Sequence, residues 1–360
     1  MPTISGYADG EPIEAVDINQ YFLRGNRNAI INGDMRVGQR ANFSSLTSIA
    51  DGAYGLDRWV ALGSGTGGVG SSGQNVNVQQ MTDAPTGGLN SMRLMATTNN
   101  LKFGCVQIIE NRNIAGIRSG TVTVSFKAKD SAGITDVRCA VLGWSSTADS
   151  VTRDIISTSG TPWLSSPPTL AANWSYLNTP ANLNVTNSWA DYRVNANVVG
   201  NPNNIAVFIW VNSTTHTTSD DLLITDVQLE SGAIATPFER KTFQEELANC
   251  QRYFARRTNL SANESFGDML AGFSTIRSFG TTYSPQVLRV RPTITQANCR
   301  IVTANAALTA SNITTMVEYS SDGTRISLDI GTGAGGTVAN QLYFLGMNGS
   351  SAFIQFDAEM

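Results

Sequence analysis

Between Thr121 and Ala128 polar and apolar residues alternate without a break, with Val122, Val124, Phe126 and Ala128 on one face of an extended chain and Thr121, Thr123, Ser125 and Lys127 on the other. A period of two belongs to a strand with one face in a core and one in water; a helix would scatter those four apolar residues around its circumference. Comparable runs lie at Asp136–Leu142, Asp191–Val198 and Leu222–Leu229. Ile205–Val211 is apolar throughout, as suits a central strand buried on both faces.

Turn-rich connections without helical periodicity separate these strands, which favours a two-sheet sandwich over a parallel α/β fold. Charged residues are only 14% of the chain, and β-branched and aromatic residues recur in short runs, in keeping with a mainly β protein. At 360 residues there is room for two domains, each with its own core. No repeat of fixed period is visible, which argues against a stacked β-helix.

A net charge of -4 and a pI near 5.1 supply no general attraction to phosphate backbones or anionic lipid, so neither nucleic acid nor membrane is an expected partner. Ile205–Val211 is too short to span a bilayer, and the N-terminal MPTIS lacks the basic start and apolar core of a secretion signal. The chain is therefore expected to be made and kept in the cytoplasm until assembly or lysis. Cys105, Cys139, Cys250 and Cys299 are widely spaced, unlike a zinc site or redox motif, and read as reduced packing residues.

Residues 1–27 are polar around one apolar cluster that includes Ile13, Val16, Ile18, Tyr21 and Phe22. Such a cluster is too small to fold alone and reads as an attachment segment. Residues 28–240 form the sandwich domain. Thr242 to Glu245 is a capping-box pattern, and Phe243, Leu247, Cys250 and Phe254 follow at near-helical spacing, which predicts a helix over about 243–256 within a 241–257 linker. That stripe either packs under its own sandwich or pairs between copies as the neck of a trimer. Strand texture resumes in 258–360, at Arg289–Thr295, Thr324–Ile330, Gln341–Leu345 and the terminal Ile354–Met360, which predicts a second, smaller β-sandwich.

Signals for catalysis are sparse. The single histidine, His216, lies in a Thr/Ser-rich stretch and reads as a solvated loop residue. Asp220-Asp221 and Glu245-Glu246 are adjacent pairs whose side chains diverge, so neither is a ready acid and base across a sugar. For binding, tryptophan is informative because sugar rings stack on flat aromatic faces. Trp59, Trp189 and Trp210 lie in strand-like contexts and read as core, whereas Trp163, Trp174 and Tyr176 lie in a Pro-rich polar excursion and are the glycan candidates. Tyr283, Tyr319 and Tyr343 are further aromatics available in the C-terminal region.

Two stretches carry a family resemblance. Ile30–Arg40 (IINGDMRVGQR) is followed by Tyr54–Trp59 (YGLDRW), and Ile224–Glu239 (ITDVQLESGAIATPFE) runs on into the capping box. Together they resemble bacteriophage tail-fibre and related receptor-binding virion proteins with a jelly-roll domain similar to carbohydrate-binding modules. Ser188–Tyr192 (SWADY) is similar to a strand of the same family. The resemblance implies a non-enzymatic subunit of a virion appendage, commonly a homotrimer. Such a subunit joins another virion protein at the tail, baseplate or neck through its N-terminus and binds a host surface glycan or protein. A structural head or neck fibre and a glycan-cleaving tailspike stay open as alternatives. It also implies a structural calcium at Asp34 and Asp226, although Thr225 stands where such modules often carry a second aspartate.

Overall fold

The computed structural model describes residues 27–65, 73–131, 133–258, 265–272, 277–303, 310–321, 325–332, 342–347 and 351–359. Ile13, Val16, Ile18, Tyr21 and Phe22 of the expected attachment segment lie outside the described residues. The chain divides into two compact units, one reaching to Phe243 and one spanning Gln244–Glu359.

The first unit is a jelly-roll sandwich of two antiparallel sheets. One has six strands in the order β1 (Thr47–Ile49), β3 (Val76–Met81), β4 (Ser91–Ala96), β11 (Asp221–Ser231), β6 (Gly120–Asp130) and β9 (Ala190–Val198). The other has five, in the order β2 (Val60–Gly63), β5 (Phe103–Ile109), β10 (Asn204–Val211), β7 (Val137–Trp144) and β8 (Trp174–Tyr176). From β4 to β7 the chain crosses to the opposite sheet at every step, so nearly all pairing is between segments distant in sequence.

Alternation sorts the side chains as the pleat requires. Val122, Val124, Phe126 and Ala128 of β6 meet Val207 and Ile209 of β10 and Val137, Cys139 and Val141 of β7 in the core between the sheets. The even-numbered residues of the five-stranded sheet point the other way, where Leu142, Trp144, Ala206, Phe208 and Trp210 build a second apolar cluster. Residues 145–173 fold back to cover it with Ile155, Ile156 and Trp163, and Trp174 follows. The five-stranded sheet is thus buried on both faces, which explains why β10 is apolar from Ile205 to Val211.

Asn32, fully buried at a left-handed φ of 58°, explains the first family-like stretch. Its Nδ2 donates to Val37 O (2.8 Å) and Asp57 O (3.0 Å), its Oδ1 accepts from Val37 N, and Trp59 Nε1 donates to its carbonyl. At Gly33 a Cβ would stand 2.2 Å from Val227 O, so the close approach requires glycine. The second stretch is a buried polar clasp. Glu230 accepts from Gln228 Nε2 and from both the amide and hydroxyl of Thr236, and Gln228 Oε1 accepts from Glu239 N. The two stretches meet where Ala29 N donates to Leu229 O, Val227 N to Gly33 O and Asn28 N to Glu239 Oε2. These hydrogen bonds satisfy most of the polar groups that the junction buries.

In the second unit, helix α1 (Phe243–Gln251) leads into β12 (Phe254–Thr258), which pairs with β20 (Phe353–Asp357), itself paired to β15 (Thr293–Ala297). The helix stops five residues short of the expected end. Tyr253 N closes a tight turn onto Cys250 O, Tyr253 O accepts from Ala358 N, and Phe254 enters the ladder opposite Asp357, so strand pairing overrides the helical spacing.

Six further strands close into a barrel in the order β13 (Ser265–Gly272), β14 (Arg277–Tyr283), β18 (Arg325–Thr332), β17 (Ala310–Ser321), β16 (Cys299–Thr303) and β19 (Leu342–Met347), with β19 returning to β13. This corrects the expected second sandwich. An inner face that alternates along each strand is common to both architectures, and closure depends on the β13–β19 pairing, which no local pattern encodes. Ile326, Leu328 and Ile330 of β18 fill the interior with Ile301 and Leu345.

Candidate functional site

The described candidate site is an open groove of about 700 Å³ on the outer face of the six-stranded sheet. Its floor is the solvent side of β6 and β9, where the register sets Ser125 opposite Arg193 and Lys127 opposite Asp191. Thr86 and Gly87, from the loop between β3 and β4, form one wall, and Pro237, Phe238 and Arg240 of the clasped exit after β11 form the other. The jelly-roll order brings these four distant segments together.

Nearly every charge in the groove is matched. Lys127 Nζ lies 2.9 Å from Asp191 Oδ1, and one Arg240 Nη2 contacts both oxygens of Asp226 at 2.8 and 3.1 Å. Asp226 sits at φ 53° in the bulge where β11 slips register against β6 between Thr225 and Gln228. Burial pushes its carboxyl upward, opposed by the Arg240 and Lys127 charges and reinforced by Asp34.

One step along the same face stands Trp189, half-exposed beside β6. Its Nε1 donates to Asp83 Oδ1 at 3.0 Å, Lys129 Nζ lies 5.6 Å from the ring centroid, and Lys129 bridges to Asp83 at 2.5 Å. The Lys129 ammonium and the indole donor together hold the Asp83 carboxyl below the usual carboxylate range. Trp189 was expected in the core; it precedes the edge strand β9, and among the described residues none crosses over it to complete its burial. Its ring is instead oriented by a hydrogen bond and a cation, an arrangement that presents a fixed flat face.

The sequence-derived glycan candidates lie elsewhere. Trp163 and Trp174 are 2% and 6% exposed, packed against Phe208 and Trp144 respectively, and Tyr176 Oη donates to Pro168 O. Their Pro-rich excursion is a cover for an apolar sheet face, so Trp163 and Trp174 offer no surface for stacking, while Tyr176 is half-buried. His216 is also buried, with Nε2 2.8 Å from Leu101 O and its edge against Phe103, in contrast to the solvated loop expected. It anchors its loop through backbone hydrogen-bond contacts and the edge-on Phe103 ring.

Asp34 and Asp226 are close enough to interact, but Arg36 Nε pairs with Asp34 at 2.5 Å and Arg240 with Asp226. Among the described residues no group of three or more carboxylate, histidine or cysteine side chains is placed to hold a metal. Two carboxylates already neutralised by guanidinium groups do not fit a calcium ion, which needs about six or more oxygens. Of the proposed oligomer stripe, Phe243 is exposed, Leu247 half-buried and Cys250 buried, while Phe254 is a buried strand residue. Tyr283 is exposed and Tyr343 buried; the Tyr319 side chain lies outside the described residues.

A carboxyl pair sits apart from the groove. Asp51 accepts from Gly63 N at 2.9 Å beside Asp154, which accepts from Ile156 N. Burial, with the neighbouring Asp154 charge, pushes Asp51 up to about 7, and burial also raises Asp154.

No family model and no curated protein matches the sequence. Among solved structures, the enzymatically active domain of tailspike protein 4 of bacteriophage CBA120 is similar at 17% identity and a TM-score of 0.34, over 57% of this chain and 21% of that one. A sugar-binding protein of Bacteroides thetaiotaomicron, so described provisionally, is similar at 13% identity and 0.32, over 57% and 100%. A xylan-binding domain from Paenibacillus barcinonensis is similar at 13% and 0.30, over 54% and 99%. Likeness at this level carries no functional inference.

Proposed function

We infer that this chain is a non-enzymatic subunit of a bacteriophage virion appendage, a tail fibre whose jelly-roll unit binds a glycan on the host surface. The observation that supports binding is the groove next to Trp189, where an oriented aromatic face adjoins hydroxyl and charged groups on a rigid sheet. The non-catalytic reading is supported by Asp83, Asp191 and Asp226, the carboxylates in and beside the groove, each of which is tied to a cation in an ion pair. Residues 1–27 join the particle, and the subunit works as a homotrimer in the virion, assembled in the host cytoplasm.

The test is saturable binding of labelled full-length protein to host cells, with molar mass by light scattering on the same sample. A trimer that binds, and loses binding on Trp189→Ala, supports the reading. A folded oligomer that neither binds cells nor blocks infection turns it into a structural head or neck fibre. A glycan-cleaving tailspike is favoured by one observation, the Asp51–Asp154 pair with its raised carboxyl. Loss of capsule viscosity on incubation, abolished by Asp51→Asn, would establish cleavage in place of simple binding.

A further inference from the structure

Among the described residues around the groove, Arg193 is the one charged group without an ion-pair partner. Lys127 is matched by Asp191, Arg240 by Asp226 and, next along the face, Lys129 by Asp83. Arg193 faces outward from β9 opposite Ser125, exposed at the groove floor. The groove therefore carries one uncompensated positive charge in a chain whose net charge is -4. A guanidinium fork matches a carboxylate in bidentate geometry, and on a sugar platform the carboxylate belongs to the ligand.

Resting on the glycan-binding reading, we propose that the groove selects acidic saccharides, with a uronate-type carboxylate on Arg193 and a sugar ring carried toward Trp189. The volume of about 700 Å³ suits a short oligosaccharide. The matched pairs serve selection as well. Lys127 and Asp191 offer a donor and an acceptor to sugar hydroxyls without changing the net charge, so Arg193 alone decides between charged and neutral ligands. Ser125, directly across the ladder, leaves room beside the guanidinium that a larger residue would fill.

The experiment is calorimetric titration of the full chain with oligogalacturonate and, separately, with neutral galactooligosaccharide of equal length, at low and at 0.5 M salt. The expected result is at least tenfold tighter binding of the acidic ligand, most of it lost at high salt. Arg193→Gln should remove that preference, while Arg193→Lys should restore part of it. The side chain is exposed and contacts no partner, so an unchanged melting temperature is expected for both variants. Equal affinity for the two ligands, or an acidic preference that survives Arg193→Gln, overturns acidic selection and leaves glycan binding intact. Absence of binding to either ligand, on cells as well as in the calorimeter, overturns the glycan reading itself.

Discussion

Replacing Trp163 by alanine separates the two sheet faces as candidate ligand surfaces. The ring is 2% exposed and meets Phe208 edge-on, with centroids 6.1 Å apart, in the cover over the five-stranded sheet. A tryptophan buries about 200 Å², which at about 25 cal/mol per Å² sets an upper limit near 5 kcal/mol. Partial collapse of the excursion lowers this, and large-to-small core changes of this kind cost about 3–5 kcal/mol. For a unit of this size each kcal/mol moves the melting temperature by about 2–4 °C, so a loss of about 6–20 °C is expected for the first unit. Calorimetry measures it. Affinity for any glycan should be unchanged below the transition, because the groove lies on the outer face of the other sheet. A shift under about 2 °C would refute the packing assigned to this ring. Lost glycan binding at unchanged stability would return the ligand site to the excursion.

Gly104→Ala should cost at least about 1–3 kcal/mol in urea unfolding, since its Cβ would stand 2.3 Å from Ile209 O and 2.6 Å from Trp210 Cβ in the β5–β10 ladder; wild-type stability would show that the ladder is wider there. Asp51, ordinarily titrating at 3.8, is pushed up to about 7 by burial. Below 3.8 it is neutral folded or unfolded, and above 7 folding must bury its charge, so stability falls as pH rises through that window. Asp51→Asn should therefore be more stable by about 1–2 kcal/mol at pH 8, after discounting for partial exposure, and no more stable at pH 4. Unfolding curves at both pH values decide it. All four cysteines are buried and free, and burial raises the Cys105, Cys139 and Cys299 thiols, the last to about 12. A thiol reagent should find none in the native protein and four after denaturation; rapid native labelling would contradict the burial.

Much of the sandwich was legible from period alone. The β6, β7, β9 and β11 runs and the apolar Ile205–Val211 run of β10 each occur as strands close to the expected limits, because a pleated strand writes its burial directly into every second residue. Where a strand-like pattern meets a decision about closure, that directness ends. Ile326, Leu328 and Ile330 alternate equally well for a sandwich or a barrel, and the pairing of β13 with β19 alone made the difference. The helical stripe through Phe254 failed similarly, since a ladder partner at Asp357, a hundred residues away, outweighed a local preference.

The aromatic residues divide in the same way. The sequence by itself established a mainly β chain with apolar strand faces and cysteines too widely spaced for a zinc or redox motif, because each depends on local periodicity or on spacing. Only the tertiary structure decided which tryptophans see solvent. Trp163, in a polar Pro-rich stretch, covers a sheet face, while Trp189, in a strand-like context, stands beside a groove. Exposure is set by what packs over a residue, and in this fold the covering segments come from far along the chain.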